Sequence, residues 1–226
     1  MLTPQRNFKL KELARRRQYD LCVVLENVHD PHNIGAVMRT CDACGIPDIY
    51  VIYTEDGINS EKEYIGINAS QGTRKWVKCH FFKSIDDCMK IVQSRYDQII
   101  ATHLSLDGKS LYEYDFTKSS ALVFGNESKG LSENILKYCT SNMFIPMMGM
   151  AQSLNISVAA AISTYEALRQ RQLKGFYDKP FNLSNPDMKK FYRDGIQNTY
   201  PKVFEIEPEK LEEVVNEFGQ SESDPN

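Results

Sequence analysis

Short β-rich apolar runs alternate with helical segments along most of this chain, and no other feature narrows its fold as far. The runs are LCVVLEN (21–27), DIYVIYT (48–54), WVKCHFF (76–82), DQIIATH (97–103), SALVFG (120–125) and SNMFIP (141–146). Between and after them lie NIGAVMRTCDAC (33–44), stopped by Gly45 and Pro47, then SIDDCMKIVQSRY (84–96), SENILKYC (132–139) and SLNISVAAAISTYEALRQRQ (153–172). In the second of these, Ser84 is a fitting N-cap, and Ile85, Cys88, Met89 and Val92 recur at helical spacing. Strands separated by helices predict an α/β fold: a mostly parallel six-stranded sheet with helices on both faces. Sites in such sheets lie beyond the carboxyl ends of the strands. The loops that matter are therefore 28–32, 102–110, 125–131 and 146–152.

Three segments are expected. Residues 1–20 carry a basic helix, KLKELARRR; 21–172 form the α/β domain; 173–226 form a helical extension, with helices near 187–197 and 208–218 and an acidic tail. The net charge of −3 conceals an asymmetry. The stretch 203–226 is strongly acidic, while 1–20 and 165–202 carry a basic excess. Clustered positive charge points to a polyanionic partner, and solvated helix faces explain it equally well.

Membrane spans are not expected, because even MFIPMMGMA is broken by Pro146 and Gly149. With no secretory signal pattern and six scattered cysteines, the expected location is the cytoplasm. No G-x-G-x-x-G occurs, and GNESKGLS (125–132) has Leu131 where a P-loop needs its lysine, so ATP chemistry is not expected. CDAC (41–44) closes a helix, where the dipole disfavours a thiolate, and has no second Cys/His pair at zinc spacing. No metal site is expected.

What remains is three polar loops. HDPHNIGAVMRTCDACG (29–45) holds Asn33 at a helix start and Arg39 six residues on. FGNESKGLS combines Gly125, Gly130 and the carboxylate of Glu127. IPMMGMAQSLNISVAAA places Ser153 and Asn155 ahead of a helix, where N-capping accounts for one of the two. Taken singly, each reads as an N-cap, a surface turn or a solvent-facing cation. Together they line successive strand ends of one sheet.

PHNIGAVMRTCDACG, LVFGNESKGLS and IPMMGMAQSLNISVAAAISTYEALRQR resemble the three signature motifs of the SpoU (TrmH-type) RNA 2′-O-ribose methyltransferases of the SPOUT superfamily. The resemblance spans about residues 20–172. It implies S-adenosylmethionine as methyl donor, a C-terminal deep trefoil knot that holds the donor bent, and a homodimer with its site at or near the interface. The helical flanks resemble those of members acting on tRNA, at guanosine 18 of the D loop. A ribosomal-RNA or other tRNA target, and a non-catalytic RNA-binding role on the same fold, stay open. The resemblance implies catalytic roles for Arg39, Asn33, Glu127, Ser153 and Asn155. Donor contacts are expected from Thr102, His103, Leu104, Gly125, Asn126, Glu127, Ile145, Met147, Ser153 and Leu154. RNA contacts are expected from Arg6, Lys9, Lys11, Arg15, Arg16, Arg17, His32, Arg39 and Arg169.

Overall fold

Strand β1 (Leu21–Glu26) is buried along its whole length, as a strand covered on both faces must be. Leu21, Val23 and Leu25 belong to one hydrophobic cluster, Cys22 and Val24 to another. Successive strand residues point to opposite faces, so the two clusters lie on opposite sides of one sheet. The computed structural model describes residues 2–55, 72–103, 108–199 and 208–220. The other strands are β2 (Asp48–Ile52), β3 (Lys78–Phe82), β4 (Gln98–Thr102), β5 (Lys109–Ser110), β6 (Ser120–Phe124) and β7 (Ser141–Phe144). All pair in parallel in the order β3-β2-β1-β6-β4-β7-β5.

The expected count of six strands needs correction. Each expected run forms a strand, and β5 makes a seventh at the sheet edge, paired with β7. Its two residues, Lys109 and Ser110, carry no apolar alternation for a pattern to detect.

The described helices are α1 (Pro4–Arg16), α2 (Pro31–Ala43), α3 (Ile85–Arg95), α4 (Glu133–Leu136), α5 (Ile156–Leu173), α6 (Pro186–Thr199) and α7 (Pro208–Gln220). Helices α2 and α5 cover one sheet face through Ile34, Val37, Met38, Cys41, Ile156, Ala160 and Ala167. Helices α3 and α4 cover the other through Cys88, Met89, Val92 and Ile135. Of the small residues of α5, Ala160, Ser163 and Ala167 are buried inside this chain. Arg171 of α5 is fully buried. Its guanidinium donates to the carbonyls of Phe116 (2.8 Å) and Lys118 (3.0 Å) and to Asp20 Oδ1 (2.5 Å). A buried cation is tolerable only with such a set of acceptors.

Residues 20–174 form one unit; 1–19 and 175–226 together form a second. In that second unit the two chain ends meet. Asn7, buried on α1, donates to the Phe218 carbonyl at 3.0 Å and accepts from Tyr192 Oη. Leu10 and Ala14 of α1, Met188 and Ile196 of α6, and Leu211 and Val215 of α7 are buried. Glu212 of the acidic segment pairs with Lys189 (3.2 Å) and Arg193 (3.6 Å). Among the described residues no helix is long and apolar enough to cross a membrane.

Candidate functional site

The site is built at the carboxyl ends of the central strands. Strand β1 ends on two residues that tie the neighbouring loops together. Glu26, 1% exposed, accepts from the backbone N–H of Ser132 (2.8 Å) and from its hydroxyl (2.5 Å). Asn27 adopts a left-handed backbone conformation, φ 52°, which asparagine tolerates better than most residues. Its Oδ1 accepts from the Thr54 N–H (2.9 Å), and its carbonyl accepts from Asn126 Nδ2 (2.9 Å). The loop after β6 is therefore fastened to β1 at both of its ends.

That loop is a tight turn. Asn126 and Gly130 exchange backbone hydrogen bonds of 3.1 and 2.8 Å. Gly130 has φ 68°, and a Cβ on Gly125 would lie 2.3 Å from the Gly130 carbonyl carbon. Only glycine fits at 125, because the opposing atoms are backbone. Glu127 stands at the exposed tip.

Asn33 does not cap α2. Asp30 does, its Oδ1 accepting from the His32 N–H at 2.8 Å. Asn33 is left free to bridge: its Nδ2 donates to Glu127 Oε1 (2.6 Å), and its Oδ1 accepts from Asn155 Nδ2 (3.2 Å). Asn155 is the N-cap of α5, its Oδ1 accepting from the Ser157 N–H (2.9 Å) and hydroxyl (2.6 Å). One chain, Glu127–Asn33–Asn155–Ser157, thus joins the three loops singled out in the sequence. With its carboxylate end and amide middle, it can orient a hydroxyl and accept its proton.

Beside this chain opens a cavity of about 250 Å³. Thr102, His103, Gly125, Asn126, Glu127, Ile145, Met147, Ser153 and Leu154 all line it, with Phe124, Met143 and Ile156 as further apolar wall. Leu104, the tenth expected donor contact, lies outside the described residues. The Thr102 hydroxyl is already committed to the Val123 carbonyl (2.9 Å).

Arg39 is exposed and makes no hydrogen bond or ion pair among the described residues. Six residues separate it from Asn33, which sets the two about 120° apart around α2. The cations expected to face RNA divide into two sets. Arg6, Lys9, Arg16 and His32 are exposed, Arg16 while paired with Glu12 at 2.8 Å. Arg17 is 5% exposed, with its guanidinium 4.9 Å from the Phe191 ring centre, so it is a packing residue of its own unit. Arg15 is bound to Glu12 and to the Tyr177 carbonyl (2.9 Å), and Lys11 lies 5.6 Å from the Phe181 ring centre. Arg169 pairs with Glu166 at 2.7 Å. Cys41 and Cys44 are fully buried, and burial pushes the Cys44 thiol up to about 11. Redox chemistry has no foothold there.

Sequence reasoning missed Glu26, Asn27 and the trio His29, Glu55, Lys129. Glu55 Oε1 accepts from Lys129 Nζ (2.7 Å), and its Oε2 lies 3.1 Å from His29 Nε2. The lysine hydrogen bond holds the Glu55 carboxyl below its ordinary range. The available signal was the polar pair Glu26-Asn27 ending an otherwise apolar run.

The chain is similar to known proteins. The family model for SpoU rRNA methylases matches residues 20–165. A Thermus thermophilus protein named tRNA (guanosine(18)-2′-O)-methyltransferase is 40% identical over 178 residues, covering 79% of this chain and 89% of the relative. The crystal structure of the A. aeolicus TrmH/SpoU tRNA modifying enzyme superposes with a TM-score of 0.76 at 37% identity, covering 87% of this chain and 97% of that one. The SpoU methyltransferase AviRb from Streptomyces viridochromogenes, solved with the cofactor AdoMet, gives a TM-score of 0.61 at 29% identity, covering 70% and 62%.

Proposed function

The chain belongs to the SpoU RNA methylase family, and on that premise we propose that it transfers a methyl group from S-adenosylmethionine to a ribose 2′-hydroxyl of tRNA. The acceptor is guanosine 18 of the D loop, the position named for the Thermus relative. The observation that carries this reading is the Glu127–Asn33–Asn155 chain standing at the rim of the 250 Å³ cavity.

The cavity suits the donor. Phe124, Met143, Ile145, Leu154 and Ile156 offer apolar surface for a purine ring. The Gly125 backbone offers polar groups close at hand, since Gly125 carries no side chain. The donor supplies a methyl group on a positively charged sulfur. The chain's own residues do the rest. A sugar hydroxyl is a weak nucleophile, so it must be positioned in line and relieved of its proton. Asn33, held between Glu127 and Asn155, is placed to orient that hydroxyl, and Glu127 to accept a hydrogen bond from it. Ser153 helps shape the cavity mouth.

Arg39 grips the adjoining phosphate and lowers the hydroxyl's pKa by its charge. A guanidinium keeps its proton above pH 12, so it is a poor general base. The working form is a cytoplasmic homodimer with the site at or near the interface. The exposed apolar side chains Met148, Met150, Val158 and Tyr165 support this, since a monomer gains nothing by presenting them to water. A trefoil knot in the C-terminal part of the domain is favoured by the strand order: β7 sits between β4 and β5, which are consecutive in the chain. In the other unit, Arg6, Lys9 and Arg16 of the basic helix supply RNA-facing charge.

The test is methyl transfer to an unmodified tRNA transcript, with the product mapped by mass spectrometry. A single 2′-O-methylguanosine in the D loop is expected. Undiminished transfer to a transcript whose D-loop guanosine lacks the 2′-hydroxyl would overturn the assignment. Arg39→Ala should lower kcat by about two orders of magnitude or more while leaving donor affinity unchanged.

A further inference from the structure

The trio His29, Glu55 and Lys129 stands on the same loops that carry the hydrogen-bonded chain of the site. His29 lies four residues before Asn33 in the strand-to-helix connection, and Lys129 two residues after Glu127 in the tight turn. Their side chains are 43% and 73% exposed, and that of Glu55 is 37% exposed. Exposed pairs of this kind stabilise a fold by only about 0–1 kcal/mol. Stability is thus a weak reason for three side chains to converge beside this site.

Lys129 and His29 have firm supports. The Lys129 backbone N–H donates to Asn126 Oδ1 (3.2 Å), and Asn126 is tied to Asn27. The His29 ring lies 6.5 Å from that of Tyr53, whose hydroxyl donates to the Val28 carbonyl (2.9 Å). An ammonium and an imidazole nitrogen directed at the two oxygens of one carboxylate form a pattern that also holds a phosphate.

We propose that His29 and Lys129 hold a backbone phosphate of the RNA substrate beside the acceptor nucleotide, and that Glu55 fills that place in the free protein. This rests on the RNA methyl-transfer reading above. Glu55 is then a competitor of RNA: Lys129 and His29 exchange a carboxylate for a phosphate, and no covalent bond is made or broken. The sign of one substitution separates this from an ordinary surface ion pair. Removing the charge of Glu55 should tighten RNA binding if the carboxylate competes, and weaken it or leave it alone if the carboxylate only props up its neighbours.

The experiment measures binding of unmodified tRNA to the full chain at 50 and 200 mM salt, for wild type, Lys129→Gln, His29→Asn and Glu55→Gln. Loss of one phosphate contact flattens the log–log salt slope by about 0.7–0.9. The fourfold rise in salt should then weaken wild-type binding about 2.6- to 3.5-fold more than it weakens Lys129→Gln. His29→Asn should weaken tRNA binding at both salt concentrations. In turnover, Lys129→Gln should raise KM for tRNA while kcat and donor affinity stay at wild-type values. Glu55→Gln should bind tRNA more tightly at 50 mM salt. An unchanged slope in Lys129→Gln, or unchanged or weaker binding in Glu55→Gln, would overturn the proposal. Wild-type protein that binds tRNA but transfers no methyl group would sink the functional reading instead, and the salt slopes would still decide this contact.

Discussion

Gly125→Ala is the sharpest single probe of the site, because its consequence follows from three distances. An added Cβ would lie 2.3 Å from both the carbonyl carbon and oxygen of Gly130 and 2.5 Å from the Leu131 nitrogen, where ordinary contact begins at 3.4 Å. All three atoms are backbone, so no rotamer change relieves the clash, and the two sides of the turn must part by about 1 Å. That breaks the 3.1 and 2.8 Å bonds between Asn126 and Gly130. At about 1 kcal/mol each, the loss is about 2 kcal/mol. For a protein of this size that is a fall in melting temperature of about 4–8 °C. Glu127 rides on the turn, so its 2.6 Å bond to Asn33 opens as well. A displacement of about 1 Å in a positioning group is worth about a hundredfold in kcat. Thermal melting and single-turnover methylation read the two effects separately. Gly149→Ala is the control, because a Cβ there meets nothing within 4 Å. Wild-type melting and turnover in Gly125→Ala would show that the turn has room to spare, and the argument would fail.

Arg171→Met should cost about 3–4 kcal/mol, leaving the Phe116 carbonyl without its donor and stripping one from Lys118. Asp20→Asn should cost far less, since Asp20 is 44% exposed; equal losses in chemical denaturation would refute the assignment. At the opposite, amino-terminal end of the sheet, burial pushes the Asp48 carboxyl up. The hydrogen bond and charge of His80, with Arg95 and Lys78, more than offset this and hold it below its ordinary value. A carboxyl lowered by folding adds stability above its unfolded pKa of about 3.9, and that stability is lost as pH falls through the folded value. The stability gap between wild type and Asp48→Asn should therefore shrink below about pH 4; a gap unchanged down to pH 3 would contradict it. Replacing Arg6, Lys9 and Arg16 together by glutamine should flatten the salt slope of tRNA binding at constant melting temperature. Arg17→Ala should instead lower the melting temperature, its side chain being buried against Phe191. The reverse pattern would show that the helix presents a different face.

The strands of residues 20–174 other than β5, and the helices, were legible because they are written locally. LCVVLE can be buried on both faces only as a central strand, and Ile85, Cys88, Met89 and Val92 can share one side only on a helix. The polar loops could be singled out because a parallel sheet directs its strand ends to one rim. What those loops do to one another was not legible. Asn33 and Glu127 are 94 residues apart, and Asn155 and Asn33 are 122 apart. No periodicity links positions so distant, and nothing local in the sequence distinguishes Asn33 from a helix cap, the role that Asp30 fills. The same blindness covered Arg171, which looks like any basic residue late in a helix yet is fully buried and serves the Phe116 and Lys118 carbonyls and Asp20. It covered Arg17 too, one of six similar cations, turned inward by packing that joins residues 1–19 to 175–226. Local sequence specifies which conformation a segment prefers and which face it must bury. Which distant groups then meet depends on how the buried faces fit together, and only the folded chain carries that.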